Sequence, residues 1–343
     1  MPVRNGGDWL AESVGSILGQ SLPDLELILV DDHSDDGAVG ALAASDSRLK
    51  RLANPARGVS AAFNAGLAAA SGRFVARMDA DDIALPERLE RQAEYLESRA
   101  GLALCGACVE IFSADGVQGG NRRYEAWLNG CREPEAIRRQ LFVESPIPNP
   151  TAFFRREAIE ALGGYGDPPW PEDYDLFLRA DAEGMAMGKP EGVLLRWRDH
   201  GRRLTRSDDR YSLERFQAAK VHFIARHRLP AGVAPVIWGA GPTGRLTHDL
   251  LRKEGILAGS SSGTLLAAAL RYCREQTEPK RVVAFACDTG NKYLSKLYND
   301  FWLEDQGFIK REQHGDLRDL IGRLHGERAT ITVGPGDIIT TAH

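Results

Sequence analysis

Two strand-like runs, each ending abruptly in paired acids, constrain this chain more than any other feature. The apolar run LELILV (25–30) stops at Asp31-Asp32, and the strand GRFVARM (72–78) stops at Asp79-Ala80-Asp81-Asp82. An apolar run closed by a polar loop, as at 25–32, is the pattern of a buried parallel strand whose carboxyl end opens into a crevice. Between and around the two runs the period changes to that of helices. Leu10, Val14, Ile17 and Leu18 predict an amphipathic helix over 8–20. A second helix is expected over 60–70, and Leu85-Pro86-Glu87 opens a third, with Pro86 in the first turn where its missing N–H costs nothing. Strand, helix, strand, helix in this order predicts an α/β fold, a mostly parallel central sheet flanked by helices, with ligands at the strand ends. Only Met1-Pro2-Val3 precede the first loop (4–7), so the first strand is expected to be a stub or the start truncated.

The D-x-D at Asp79 and Asp81 carries the most chemistry. Two carboxylates one residue apart at a strand end can chelate a hard cation such as Mg²⁺ or Mn²⁺, which bridges the phosphates of a nucleotide and neutralises a leaving diphosphate. Taken singly, the same residues would serve as an acidic turn capping the next helix. They do not stand alone. Asp31 and Asp32 end an earlier strand, where they can meet a base or ribose. Glu172-Asp173 follow Trp170-Pro171 and precede an apolar run, where an acid can deprotonate an attacking hydroxyl. Either pair by itself also reads as a helix N-terminus favoured by its dipole; three acidic sites in this order on an α/β pattern read as one active site.

In these motifs residues 1 to about 228 resemble glycosyltransferase family 2. PVRN (2–5) resembles the family's opening loop, and LILVDDHSDD (27–36) its nucleotide-binding strand end. The segment 58–92 matches closely through the D-x-D, and NPTAFFRREAIEALGGY (149–165) with PEDYDLFLR (171–179) resembles the acceptor-side segment and the E-D motif. The resemblance implies the nucleotide-diphospho-sugar transferase fold of the GT-A type and an inverting single displacement. It implies Asp173 as base beside Glu172, Asp79 and Asp81 at metal and diphosphate, and Asp31 or Asp32 at the nucleoside. Pro2 and Asn5 would belong to the donor loop. His200, with Arg202 or Arg203, would approach the metal or diphosphate, or form a basic surface turn. Trp170 would stack on the acceptor sugar or fill the core; Asn64 would face the donor or the helix surface. Asn149 stands where relatives often carry histidine. The implied partners are a nucleotide-sugar donor and a saccharide or lipid-linked acceptor, as in cell-envelope polysaccharide biosynthesis.

Charge and cysteine usage limit other classes. A net charge of -5 leaves no basic excess for nucleic acid. The five cysteines, an odd and scattered set, read as reduced cytosolic thiols. Cys105 and Cys108 form a C-x-x-C within LALCGACVEIF (102–112), which reads as one buried strand; residues three apart then face opposite sides and cannot share a metal. No secretory leader is expected at the start, and the uncharged stretch 255–270 is too short and too rich in Gly and Ser to span a bilayer. A cytoplasmic enzyme is expected, with peripheral attachment at the inner membrane face left open by a lipid-linked acceptor.

The C-terminal third reads differently. Residues 229–250 form a linker and a short Rossmann-like start, with G-x-G-x-x-G at 239–244. Residues 251–310 resemble the end of the catalytic domain of a pyridoxal-phosphate cystathionine β-synthase, in GSSSG (259–263) and CDTGNKYLSK (287–296). Residues 311–343, from His314-Gly315-Asp316-Leu317 onward, resemble the start of that family's regulatory pair. The resemblance would set Thr289 against the cofactor's pyridine nitrogen. The Schiff-base lysine and phosphate-cradling loop of that family are missing, so pyridoxal phosphate is not expected to bind. The segment reads as a fused fragment joined between Arg245 and Ile256.

Overall fold

The computed structural model describes residues 1–42, 46–229, 237–238, 242–254 and 285–286. It divides into two units, Met1–Ala234 with Asp249–Leu257, and Pro235–His248 with Ala258–His343.

The first unit runs β1 (Pro2–Val3), α1 (Leu10–Leu18), β2 (Leu27–Asp31), α2 (Ala38–Ala41), β3 (Leu49–Ala53), α3 (Val59–Ala69), β4 (Phe74–Ala76), β5 (Ile83–Ala84) and α4 (Arg88–Glu97). It continues through β6 (Leu102–Cys105), β7 (Cys108–Phe112), α5 (Gly119–Gly130), α6 (Pro134–Gln140), β8 (Phe153–Arg155) and α7 (Arg156–Ala161). Then come α8 (Glu172–Ala182), β9 (Ala186–Gly188), β10 (Val193–Arg198), α9 (Leu204–Ser207) and α10 (Leu213–Phe223).

The parallel sheet expected at the start is present. β1 and β3 flank β2, both parallel to it, with Pro2 opposite Val30 and Leu27 opposite Leu49. β1 is only two residues long, yet it is engaged with β2: Val30 N–H donates to the Met1 carbonyl and Asp32 N–H to that of Val3. In β2, Leu29 and Val30 are wholly buried, as a strand covered on both faces requires. Leu10, Val14 and Ile17 of α1 pack onto it at helical spacing.

The remaining strands form two mixed sheets. β8 lies between β4 and β6, antiparallel to both, and β9 adds parallel to β6. β10 runs antiparallel to β5 and parallel to β7. The segment expected as one strand, 102–112, is therefore two: β6 and β7 belong to different sheets, parted at Gly106-Ala107. A Cβ on Gly106 would come within 2.8 Å of Ile147, so the chain crosses between sheets where only glycine fits. Cys105 and Cys108 are both buried free thiols, as the core assignment requires, though strand alternation is not what separates them.

A buried polar knot locks the strand end that carries the D-x-D. The Arg88 guanidinium, wholly buried, donates to the carbonyls of Arg77 and Pro150 at 2.7 Å each and to Gln92 Oε1 at 3.0 Å. The Gln92 amide in turn donates to the carbonyls of Gly106 and Thr151. Burial pulls the Arg88 pKa down to about 10, which still leaves it charged at neutral pH.

In the second unit a two-residue strand β11 (Ile237–Trp238) pairs in parallel with β12 (Phe285–Ala286). Helix α11 (Pro242–Lys253) begins inside the expected G-x-G-x-x-G. The motifs read as cystathionine β-synthase-like, 259–263 and 287–296, and the regulatory start from 311 lie outside the described residues.

Candidate active site

The strand-end loop after β4 gathers three carboxylates. Oxygens of Asp79, Asp81 and Asp82 lie within 4.8 Å of one another. Each is held from a different direction. Asp79 Oδ1 pairs with the Arg77 guanidinium at 2.6 Å, and its carbonyl accepts from Ser13 Oγ of α1. Asp82 Oδ1 accepts the Arg198 N–H at 2.8 Å, while its Oδ2 is buried without a partner. Arg198 Nε closes the turn on the Asp81 carbonyl at 2.7 Å. Burial and mutual repulsion push the Asp79 and Asp82 carboxyls upward, offset in part by Arg77 and Arg203. Such a cluster holds three carboxylates that repel one another at close range. With its orphaned buried oxygen, it fits a hard divalent cation.

His200 reaches this cluster from the segment after β10. Its Nε2 lies 2.7 Å from Asp81 Oδ2, and its Nδ1 accepts the Arg202 N–H at 3.2 Å. The acceptor role of Nδ1 puts the ring proton on Nε2, which therefore donates to Asp81. Trp9 flanks the imidazole at 4.5 Å between ring centroids, and Arg203 lies over Trp197.

The second acidic pair opens α8. The helix dipole favours acids in this first turn, and Asp173 Oδ1 accepts the Tyr174 N–H at 2.7 Å. Glu172 is only 1% exposed and meets the Tyr211 hydroxyl with both oxygens. Burial first, then the neighbouring Glu172 charge, push the Asp173 carboxyl up to about 7. Asp79 adds to that effect, so the two acidic centres sense each other. Trp170 donates its indole N–H to Asp175 at 2.9 Å and packs against His222.

The remaining expected residues sit on the strands, loops and helix nearby. Asp32 is buried and accepts from Asn54 Nδ2 at 2.6 Å and from the Gly58 N–H at 3.0 Å. Gly58 has φ of 96°, a conformation that suits glycine, and starts α3. Asp31 is half-buried, with one oxygen accepting the Ser34 N–H. Asn5 ties the loop after β1 to that after β2, accepting from Asp35 N–H at 2.9 Å. Pro2 sits within β1. Asn64 clamps the Tyr165 backbone through both its amide atoms, at 2.8 and 2.9 Å. The Tyr165 hydroxyl donates to Asn149. A cavity of about 370 Å³ opens where α3 begins, bounded by Gly58, Ser60, Asn64, Tyr165, Asp167 and Arg210.

Sequence reasoning missed three residues that shape this arrangement. Arg77 is two residues before the D-x-D, a visible signal, yet its burial beside Asp79 was not. Arg198 lies in the segment that was read, but not its grip on the acidic loop. Tyr211 carried no signal at all.

Fold and site together define an α/β unit with an acidic strand-end cluster. A family model, glycosyl transferase family 2, matches residues 1–163. The putative glycosyltransferase EpsE of Bacillus subtilis is 30% identical over 250 residues, covering 71% of this chain and 86% of that protein. The Escherichia coli enzyme WfgD, named UDP-Glc:alpha-D-GlcNAc-diphosphoundecaprenol beta-1,3-glucosyltransferase, is 42% identical over 98 residues, covering 28% of this chain and 39% of that one. Among solved structures, S. aureus TarS 1-349 in complex with UDP-GlcNAc superposes with a TM-score of 0.53 at 17% identity, covering 67% of this chain and 66% of that one. The TarS likeness bears on the fold, which is of the same α/β kind. This chain belongs to glycosyl transferase family 2.

Proposed function

We propose that the first unit transfers a sugar from a nucleotide-diphosphate donor to an acceptor hydroxyl with inversion, assisted by a divalent cation. The observation that carries this reading is the pairing of two different acidic centres: the cluster Asp79, Asp81 and Asp82, and the carboxyl of Asp173 raised to about 7. One suits a cation, the other a base working near neutral pH. Mg²⁺ or Mn²⁺ held by Asp79 and Asp81 would supply neutralisation of the leaving diphosphate.

Asp173 takes the proton of the acceptor hydroxyl as its oxygen bonds the anomeric carbon, and the bond from that carbon to the diphosphate breaks. A single displacement of this kind inverts the anomeric centre. Glu172 flanks the base. Arg203 stands on the diphosphate side, where positive charge suits a leaving anion, and His200, its N–H spent on Asp81, acts through that carboxylate. Asp31, half-exposed, is the better candidate for the nucleoside, because Asp32 is committed to Asn54 and Gly58. Pro2 and Asn5 shape that wall, and Asn64 acts through Tyr165. Trp170 flanks the acceptor side with one edge anchored on Asp175. The name of WfgD supports a UDP-sugar donor and a lipid-linked acceptor, which would bring the enzyme to the inner membrane face. No helix among the described residues is long and apolar enough to cross a membrane.

The test is a panel of nucleotide sugars, screened for hydrolysis and for thermal shift with Mn²⁺, Mg²⁺ or EDTA. One donor is expected to give metal-dependent signals that Asp81→Ala abolishes. Full-strength, metal-independent donor binding would refute the reading. A visible internal-aldimine absorbance in the purified chain would instead revive pyridoxal-phosphate chemistry.

A further inference from the structure

The segment leaving β10 returns to the site three times. His200 meets Asp81, Arg210 meets Asp167 at 2.8 Å, and Tyr211 meets Glu172. The third contact has no part in the reaction just described. Tyr211 Oη lies 2.9 and 2.7 Å from the two oxygens of a carboxylate that is 1% exposed. A phenol has one proton to donate, so one bond shared between both oxygens fixes the carboxylate plane and favours its ionised form. No cation among the described residues lies within ion-pair distance of Glu172; Arg77 and Arg210 act on it only through space. Burial raises the Glu172 carboxyl, and the Tyr211 bond is the largest influence opposing that rise. Glu172 is in turn, after burial, the largest influence holding Asp173 up.

We propose that Tyr211 is a positioning residue: its hydroxyl, bonded to both oxygens of Glu172, holds that carboxylate in place and negatively charged against the base Asp173. The proposal rests on the reading of Asp173 as base. The charged groups facing the pair are Asp79 from the loop after β4 and Arg77 and Arg210 on the Glu172 side. The Tyr124 and Tyr165 hydroxyls also lie within the field of Asp173.

Tyr211→Phe removes one oxygen and keeps the ring. The first readout needs no substrate: melting of the full chain against pH. A hydrogen bond to an ionised carboxylate lowers its folded-state pKa, so its stabilisation is present at high pH and lost as the carboxyl protonates. The melting loss in Tyr211→Phe should therefore be larger at pH 8 than at pH 4.5, and Glu172→Gln as background should erase that difference. The second readout uses the UDP-sugar hydrolysed fastest. Glu172→Gln removes the charge beside Asp173 and should move the rising limb of kcat/KM to lower pH by about half a unit or more. Tyr211→Phe should move it the same way, because the unsupported Glu172 holds a proton, and the double variant should move no further than Glu172→Gln. A pH-independent melting loss or an unmoved limb in Tyr211→Phe overturns the proposal. Wild-type turnover in Asp173→Asn would overturn the base assignment beneath it, and with it the proposal; the melting series then shows whether the Tyr211 contact itself holds.

Discussion

Asp173→Asn should slow turnover sharply while making the protein more stable, and the gain should depend on pH. The folded carboxyl is raised from 3.8 to about 7. Below pH 3.8 both folded and unfolded chains hold the proton, and the site has no effect on stability. Between these values the folded chain keeps a proton that the unfolded chain has lost, so stability falls as pH rises. Above pH 7 the loss is complete. A shift of about 3 units corresponds to about 4 kcal/mol at most. The side chain is half-buried and shares its repulsion with Glu172, so roughly half of that, about 2 kcal/mol, is expected. Asparagine at 173 is neutral throughout and escapes the loss. For a unit of this size 1 kcal/mol moves Tm by about 2–4 °C. The Asn variant should therefore melt about 4–8 °C above wild type at pH 8 and nearly together with it at pH 4. Melting curves across that range in EDTA measure the offset. An offset that stays constant with pH, or a less stable variant at pH 8, would refute the argument that Asp173 is held against its ionisation. Hydrolysis of the donor by the same variant should fall by about 10²-fold or more.

Further outcomes follow from the same geometry. Asp81→Ala should remove Mn²⁺-stimulated nucleotide binding in calorimetry, with binding no stronger in metal than in EDTA. Arg88→Leu should cost about 3–5 kcal/mol in denaturant unfolding, since it leaves the Arg77 and Pro150 carbonyls and Gln92 without their buried donor. Asp32→Ala should destabilise by about 1–3 kcal/mol, because the buried Asn54 amide and Gly58 N–H lose their acceptor. If Asp32 instead served chiefly the nucleoside, donor affinity would drop while stability stayed unchanged.

The local pattern of this chain was enough to place β2 and the helices α1 and α3, and to mark the three acidic stations in order. These features depend on residues within one or two turns of each other: apolar periodicity and a strand ending in acids; Pro86, expected in the first turn of α4, lies instead before its N-cap Glu87. They also carry the resemblance to the family, from which the proposed roles of Asp79, Asp81 and Asp173 are drawn. Tertiary structure alone decided which of those groups are free to act. Asp32 and Asp31 are adjacent and alike in sequence, yet one is spent on Gly58, 26 residues away, and the other stays half-exposed. His200 reads either as a group near the metal or diphosphate or as part of a basic surface turn, and only the fold sets it on Asp81 across 119 residues. The antiparallel insertion of β8 between β4 and β6, and the break of 102–112 into two sheets, have the same origin. Strand order is chosen by how distant faces bury one another, and no short window of sequence contains both faces. Tyr211 is the extreme case: nothing near it in the chain is acidic in the right place, and only packing brings Glu172 within 2.7 Å.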